Sequence, residues 1–493
     1  MKKFSLWSML LVALVAMGLS SCSKSSATLD YIAADADFVM SLNVRSILEN
    51  AGCKKSGEGV ELQGPLAKLM NLQGQEGTAF RQLFEEGFVD LDGVFATGTF
   101  KGDGFMMTAL KDEEKLRAFL NDNNFEVETL GDFSYAQIGS GPTVFWNSDI
   151  AAIPFNTWGE PEKLLAPVKD MIRRAEKNPL SKVGWKTDLL SSDHAFGAFV
   201  NMQNIPSFAK TMMRQQGLGD ATAILDATIC ATIDLSGSKA TMKIAYRDAD
   251  GKTMDPGKEY MKYLDKVDTG LLSYLNKYDV AVAAGGIKGD FPWKGILEPV
   301  MQSAFGSGSG QQMAMILPYL EAIDGTLILG AGPRNGLRSF NADESNINEN
   351  WDIFFAAQLK QGKAQTFAGD LRNLIQTAGG SSLTCSEADG ALKVDIQYGP
   401  SFYIKADGDN FLVANRPLTK DGGSSVKDDM VSGQKSVLAI NLPKGYPVLK
   451  ELGAEWGVRL VSKMNGDGNE SVTDLEVYGS DKPLLETVLS TAL

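Results

Sequence analysis

The chain has 493 residues, with 47 basic against 61 acidic side chains, one histidine and four cysteines. At about 100–200 residues per domain this length holds two or three domains, and its 44% hydrophobic and 22% charged residues are ordinary globular composition. The net charge of −14 excludes a phosphate-tracking nucleic-acid binder, and the lone histidine removes most zinc enzymes and leaves one candidate for imidazole acid–base chemistry.

The N-terminus reads as an address. Lys2 and Lys3 precede an apolar stretch from Leu6 to Leu19, 14 residues long, which suits a signal segment and falls short of the roughly 20 residues a spanning helix needs. The stretch ends in Gly18-Leu19-Ser20-Ser21-Cys22, which resembles a bacterial lipoprotein lipobox. The resemblance implies removal of residues 1–21 and acylation of Cys22 on its thiol and new amine, and several acyl chains on one residue anchor stably. Residues 22–29 then read as a flexible tether. Losing Lys2 and Lys3 leaves the mature body at −16, so lipid and not a polybasic patch must hold it to the membrane. Cys53, Cys230 and Cys385 remain, so at most one disulfide can form, and Cys230, inside an apolar run, reads as a small buried hydrophobe.

Beyond the tether, Phe38–Leu42 alternates as a strand and opens into a helix over Val44–Asn50, with Asn43 as its cap. A hairpin follows over Val94–Phe100 and Gly104–Leu110, then a helix from Asp112 to Asn121 and a meander of short strands over Phe125–Pro154. Glu160–Lys177 is predicted as a helix with Pro161 in its first turn. A strand at Ala195–Asn201, a long hairpin over 226–247 and a closing helix at Lys258–Val267 complete this half. The second half repeats the order. Asp92–Gly98 finds a counterpart in Asp324–Gly330, and Gly141–Phe145 in Gly399–Tyr403. Likewise Ala195–Asn201 matches Val437–Asn441, 226–247 matches 455–478, and Tyr31–Asn43 matches Tyr278–Gly286. The expected fold class is therefore α+β, a tandem duplication of one unit with mainly antiparallel strands, hairpins and a few packing helices. The first repeat is expected over 30–270 and the second over 271–493, with Asn201 and Asn441 capping helices as Asn43 does.

Motifs that suggest chemistry each have a plainer reading. Leu329–Gly336 contains glycines after a strand, but their spacing is wrong for a dinucleotide site and no apolar-periodic helix follows. Asn465–Asn469 partly mimics a calcium loop, yet Glu470 stands where glycine is required and strands flank it. Lys405–Asn410 reads as a hairpin turn. His194 has no nucleophile placed by any motif, and Cys53 has no motif partner. The glycine- and serine-rich run Phe305–Gly310 reads as a surface loop. Trp146, Trp158, Trp185, Trp293, Trp351 and Trp456 read as partly buried core rather than a sugar platform. No catalytic, metal or cofactor residue is assigned.

The lipobox, the opening Tyr31-Ile32-Ala33-Ala34-Asp35-Ala36-Asp37-Phe38-Val39 and the repeated organisation together resemble an uncharacterised envelope lipoprotein family of Bacteroidetes, with Ala33 where that family commonly has proline. The resemblance implies a lipid-anchored outer-membrane protein and carries over no catalytic residue. The residues after Cys22 lack the acidic run of that phylum's surface-exported lipoproteins, which favours a body in the periplasm. The leading functional expectation is a non-enzymatic, lipid-anchored envelope protein with a binding or scaffolding role toward a protein or glycan. The alternative is a metal-independent hydrolase of glycan or peptidoglycan, which needs two carboxylates about 5–10 Å apart in a cleft, one with a raised pKa. A third expectation is a transport accessory holding a small apolar or aromatic ligand.

Overall fold

The computed structural model describes residues 27–492 except 70–81, 83, 139–140, 157, 214–221, 296, 299–308, 342–346, 379–382, 398, 421 and 465–468. Residues 1–21, expected as a signal segment, and Cys22 lie outside the described residues, as do most of the Phe305–Gly310 and Asn465–Asn469 runs. The chain is α+β, mostly antiparallel sheet with packing helices. It divides into two compact units. Unit 1 comprises residues up to Lys210, Ala223–Met254 and Asp481–Leu493; unit 2 comprises Thr211–Thr222 and Asp255–Ser480.

In unit 1 the strands are β1 (Phe38–Leu42), β2 (Lys54–Ser56), β3 (Gly59–Glu61), β4 (Val89–Gly98), β5 (Gly104–Leu110), β6 (Glu128–Leu130), β7 (Phe133–Gln137), β8 (Thr143–Trp146), β9 (Ile150–Pro154), β10 (Phe196–Asn201), β11 (Thr228–Ser236) and β12 (Lys239–Arg247). Apart from the small β2–β3 hairpin they lie side by side, all antiparallel, in the order β12-β11-β10-β1-β4-β5-β9-β8-β7-β6. In unit 2 the strands are β13 (Leu264–Asp265), β14 (Ala281–Ile287), β15 (Ile323–Pro333), β16 (Trp351–Leu359), β17 (Leu383–Ala388), β18 (Ala391–Ile396), β19 (Ser401–Asp407), β20 (Asn410–Ala414), β21 (Ser436–Leu442), β22 (Gly457–Met464) and β23 (Glu470–Tyr478). Their order is β23-β22-β21-β14-β15-β16-β20-β19-β18-β17, with the short β13 on one end of β14.

Rank for rank, the two orders coincide. Both units also break register once, at the same place: between Val89 and Val94 in β4, and between Ile323 and Leu327 in β15. The Asp-Gly pairs Asp92-Gly93 and Asp324-Gly325 sit inside these bulges. Gly325 has φ +140°, and a Cβ there would lie 2.2 Å from the Gln358 side chain, so this bulge requires glycine. Because the β4 bulge holds one residue more, strand partners equate Thr97, and not Gly98, with Gly330.

Local sequence explains the helices. Asp112 accepts a hydrogen bond from the Lys115 amide and caps Glu113–Asp122, whose Leu116 and Leu120 face inward. Pro161 opens Pro161–Ala175, which buries Leu164, Leu165, Val168, Met171 and Ala175 on one stripe. That stripe meets Val39, Phe95, Phe105, Phe145 and Phe199 of the sheet to form the main core of unit 1. The core of unit 2 gathers Val282, Ile328, Phe354, Leu412 and Ala439 from equivalent strands.

Several expectations need correction. Residues 27–29 are not tether: Ala27–Tyr31 is a 3-10 turn with Thr28 and Leu29 wholly buried, so the fold starts eleven residues before β1. Asn43 caps Val44–Asn50 through the Ser46 amide and Asn201 caps a short turn, but Asn441 caps no helix. It joins Ser425 and Tyr478 instead, donating to the Ser425 carbonyl at 2.6 Å and accepting from the Tyr478 hydroxyl at 2.9 Å. The closing helix stops at Met261, and Leu264–Asp265 pairs with β14. The units divide at Met254/Asp255 where the sequence reading puts 270/271, and Asp481–Leu493 belongs with unit 1.

Candidate functional site

Few of the sequence candidates come together. His194 lies in the turn before β10, half-buried, its Nδ1 2.7 Å from Asp234. Cys53, Cys230 and Cys385 are free thiols. Burial pushes the Cys53 thiol up and the Cys230 thiol up to about 11, against the pull of Arg247 and Lys186, which describes unreactive core residues. Leu329–Pro333 is the last half of β15 and Gly336–Asn341 a 3-10 turn, so the glycine run is ordinary strand and turn. At Lys405–Asn410, Asp407 accepts from the Tyr274 hydroxyl and pairs with Lys420 at 2.9 Å; these partners hold its carboxyl below the usual range. Among the described residues no cluster of His, Cys, Asp and Glu is arranged to hold a metal ion. The tryptophans divide: Trp146 is fully buried, Trp351 donates to the Ser339 carbonyl at 2.6 Å, and Trp158 is 79% exposed.

Sequence reading missed a buried ion cluster at one end of the unit 2 sheet. Asp279, just before β14, and Asp352, at the start of β16, are both completely buried. Arg416, just after β20, donates through Nη2 to Asp279 at 2.5 Å and to the Tyr274 carbonyl at 3.0 Å, and through Nε to Asp352 at 2.7 Å. Arg334 reaches the other Asp352 oxygen at 2.7 Å, and the Asn276 side chain reaches it at 2.9 Å. Gly332 lies opposite Asp352 in the ladder, where an added Cβ would sit 1.7 Å from the Tyr278 carbonyl. Burial pushes the Asp279 carboxyl up to about 6, against the pull of Arg416, with the charge of Asp352 pushing the same way. Here are two carboxylates, one raised, as a glycosidase would need. Both, however, are sealed from solvent and neutralised by arginine, so this cluster is structural cement and not a cleft. The only sequence signal for it is that each charge abuts an apolar strand.

The remaining feature is a surface. In an antiparallel sheet with one wet face, polar residues alternate with core residues. The central strands of unit 2 do not alternate. On the face away from the core, Phe355, Leu329, Ala283 and Leu438 form one cross-strand row, and Ile353, Ala331, Ala281, Ile440, Leu460 and Leu475 the next. The helices Ser309–Leu320 and Lys363–Ala378 cover one end of this face, over Leu327, Phe355 and Phe411. Beyond them Leu329 is 49% and Leu438 42% exposed. Ala283 lies between Leu329 and Leu438, and Ala281 between Ala331 and Ile440, so these small side chains make a shallow apolar trough along β14. Unit 1 has the same face, with Met40, Ala96, Ala198, Ala231 and Ile244 in register.

No family model and no curated protein matches the chain. Among solved structures, crystal form I of TP0453 is similar at TM-score 0.25 and 8% identity, covering 47% of this chain and 83% of that one. Crystal form III of TP0453 is similar at TM-score 0.23 and 9% identity, covering 44% and 97%. Likeness at that level carries no argument. No helix among the described residues is long and apolar enough to cross a membrane.

Proposed function

We propose that this is a non-catalytic, lipid-anchored envelope protein, held at the outer membrane through Cys22 with its body in the periplasm, whose binding surface is the apolar sheet face of unit 2. The ligand class that suits the surface is aliphatic: a chain lying along the β14 trough between Leu329 and Leu438. One observation carries this reading. The central strands are apolar on both faces, and the uncovered face exposes two leucines in register where a solvent-facing sheet would carry polar side chains. Covering the exposed half of each leucine contributes about 1 kcal/mol apiece at the usual value for apolar burial, before neighbouring rows are counted. We also read the two units as copies of one ancestral unit. Their common strand order, shared bulge position and five ordered sequence matches support that descent.

The test is saturable binding of a fluorescent long-chain fatty acid to the full chain. A Leu329→Asp/Leu438→Asp double variant should retain its melting temperature within a few degrees, since both side chains are half-exposed, and lose at least tenfold in affinity. Unchanged affinity in the folded variant would overturn the reading, as would failure of the parent protein to bind any acyl-chain probe.

A further inference from the structure

Among the described residues β17 of unit 2 pairs with β18 alone, so its other side is a sheet edge. Its register runs unbroken over six residues, Leu383–Ala388, without proline or bulge. Its one charge, Glu387, is held at 2.6 Å by Arg372 of the covering helix Lys363–Ala378. The strand of the same rank in unit 1, β6, has three residues and an exposed Glu128. Short length and edge charge keep a sheet from taking another strand, and unit 1 uses both. The outward groups of β17 follow from its turn. Asp389 (φ 51°) and Gly390 (φ 72°) form a two-residue turn, which closes on a hydrogen-bonded rung, here Ala388 with Ala391. Rungs alternate from there, so Ser386 and Thr384 bond to β18, whereas Leu383, Cys385 and Glu387 turn their N–H and C=O groups outward. At the far end the Ile396 amide points to the Pro400 carbonyl on the β19 side, so the Leu383–Ile396 rung is unbonded, as the alternation requires. Side chains are sorted as well. Leu383 and Cys385 pack with Leu371 and Ile375 of the covering helix, all four only partly buried, while Thr384 and Ser386 are exposed on the opposite face.

What fits a row of outward N–H and C=O groups is another strand, and this strand fits itself. We infer that β17 of two copies pair antiparallel across a two-fold axis through Cys385, making one continuous sheet. The axis stands perpendicular to the sheet, so both covering helices stay on one side and both polar faces on the other. Leu383 then faces Glu387 of the second copy, Cys385 faces Cys385, and Glu387 faces Leu383, with about six ladder bonds in all. Between these rungs Thr384 meets Ser386. No like charges oppose each other, and Val394 and Cys385 of one copy run on into Cys385 and Val394 of the other, which extends the small core beneath the helices. This register alone keeps all three outward residues of both copies paired within the strand. A shift one way carries a rung into the Asp389-Gly390 turn, and a shift the other way carries it past Leu383. The contact is one strand wide and falls below the roughly 1,000 Å² of a lasting complex, so the dimer is a transient one. The pairing is independent of the apolar trough on β14.

Cys385 serves as the reporter. Across the axis its Cα lies about 5.5 Å from that of the second copy, within the range a disulfide bridges, while Cys53 and Cys230 are buried. Full-length protein oxidised with copper–phenanthroline over a dilution series should give a Cys385–Cys385 cross-link, identified by peptide mass spectrometry, whose yield rises with concentration. Cys385→Ser should abolish it. Glu387→Pro removes an outward amide and no bond to β18, so it should keep the melting temperature within a few degrees and cut the yield at least about tenfold. Thr384→Glu/Ser386→Glu should cut the yield likewise, by setting like charges across the axis, and mixing it with Thr384→Lys/Ser386→Lys should restore the cross-link. Undiminished cross-linking in Glu387→Pro would overturn the pairing. So would a mixture of the two charge variants that stays uncross-linked, or a parent protein that gives no Cys385 cross-link at any concentration.

Discussion

At the position three residues before the central core valine of each sheet, unit 1 has Ala36 and unit 2 has Asp279. Val39 and Val282 occupy equivalent rungs, and the carbonyls of Asp37 and Val280 accept the amides of Asn201 and Asn441, at or next to the end of the neighbouring strand. The difference between Ala36 and Asp279 follows from what covers the core nearby. Between β9 and β10 unit 1 lays the helix Pro161–Ala175, whose backbone satisfies its own hydrogen bonds and presents only side chains to the sheet. Among the described residues between β20 and β21, unit 2 has only the one-turn helix Asp428–Val431, preceded by irregular chain. Irregular backbone next to a core must find partners. Arg416 takes the Tyr274 carbonyl, the Ser424 hydroxyl donates to the Asp279 carbonyl at 2.5 Å, and the Gly422 amide donates to the Ser273 carbonyl. One strand order can thus be closed with an apolar stripe or with a satisfied ion network. The second solution is brittle.

The largest effect should come from breaking that network. Arg416→Met leaves Asp279 and Asp352 buried with too little positive charge, and unit 2 should lose about 3–5 kcal/mol. Hydrogen exchange during urea unfolding, read separately over β14–β16 and β1–β5, should show the loss in the former alone. An equal loss in both strand sets would contradict the contrast between the units.

The next effect is pH-dependent. The folded state raises the Asp279 carboxyl from 3.8 to about 6, so its proton is held more tightly when folded. This contribution to stability is fully present below about 3.8 and is lost as pH rises through about 6. Unit 2 should therefore gain up to ~3 kcal/mol between pH 7 and pH 4, measured against Asp279→Asn, while no such group stands at Ala36 of unit 1. A parent-minus-variant difference that stays flat across this range would remove the assignment.

The smallest effect separates the two asparagines. Asn43→Ala removes a helix cap and the bond its amide donates to the Ser192 carbonyl, and should cost about 1 kcal/mol or somewhat more, all of it in unit 1. Asn441→Ala severs bonds to Ser425 and Tyr478 and caps no helix, so its comparable loss should fall on unit 2; hydrogen exchange that placed both losses in the same unit would contradict the contrast.

Much of the strand order was legible because it rests on local pattern: alternation in β1, hairpins at Lys101–Asp103, turns between β17 and β20. The first half of β4 was not, since Asp90, Asp92 and Gly93 interrupt the apolar run where the bulge re-aims the strand. Leu29 passed for tether because its burial is tertiary and no periodicity surrounds it. The ion cluster was invisible for a similar reason: Asp279, Arg334, Asp352 and Arg416 are spread over more than a hundred residues and meet only when β14, β15, β16 and β20 align. The apolar face was readable in principle. Runs such as Leu327-Ile328-Leu329 and Leu438-Ala439-Ile440 do not alternate, and that lack is the signal of a sheet meant to be covered twice.

The last helix, Leu484–Ala492, has a bearing on how the protein comes to be. Its Leu485 amide bonds to Asn50 at 2.9 Å, its Leu484 amide to the Gly237 carbonyl, and Glu486 packs against Gly52. Unit 1 emerges first from the ribosome, yet its contacts with this helix form only when residues more than four hundred positions later arrive. Unit 2 is complete by Ser480. The half made first is finished last, so a chain shortened by a dozen residues at its end would be damaged at its beginning.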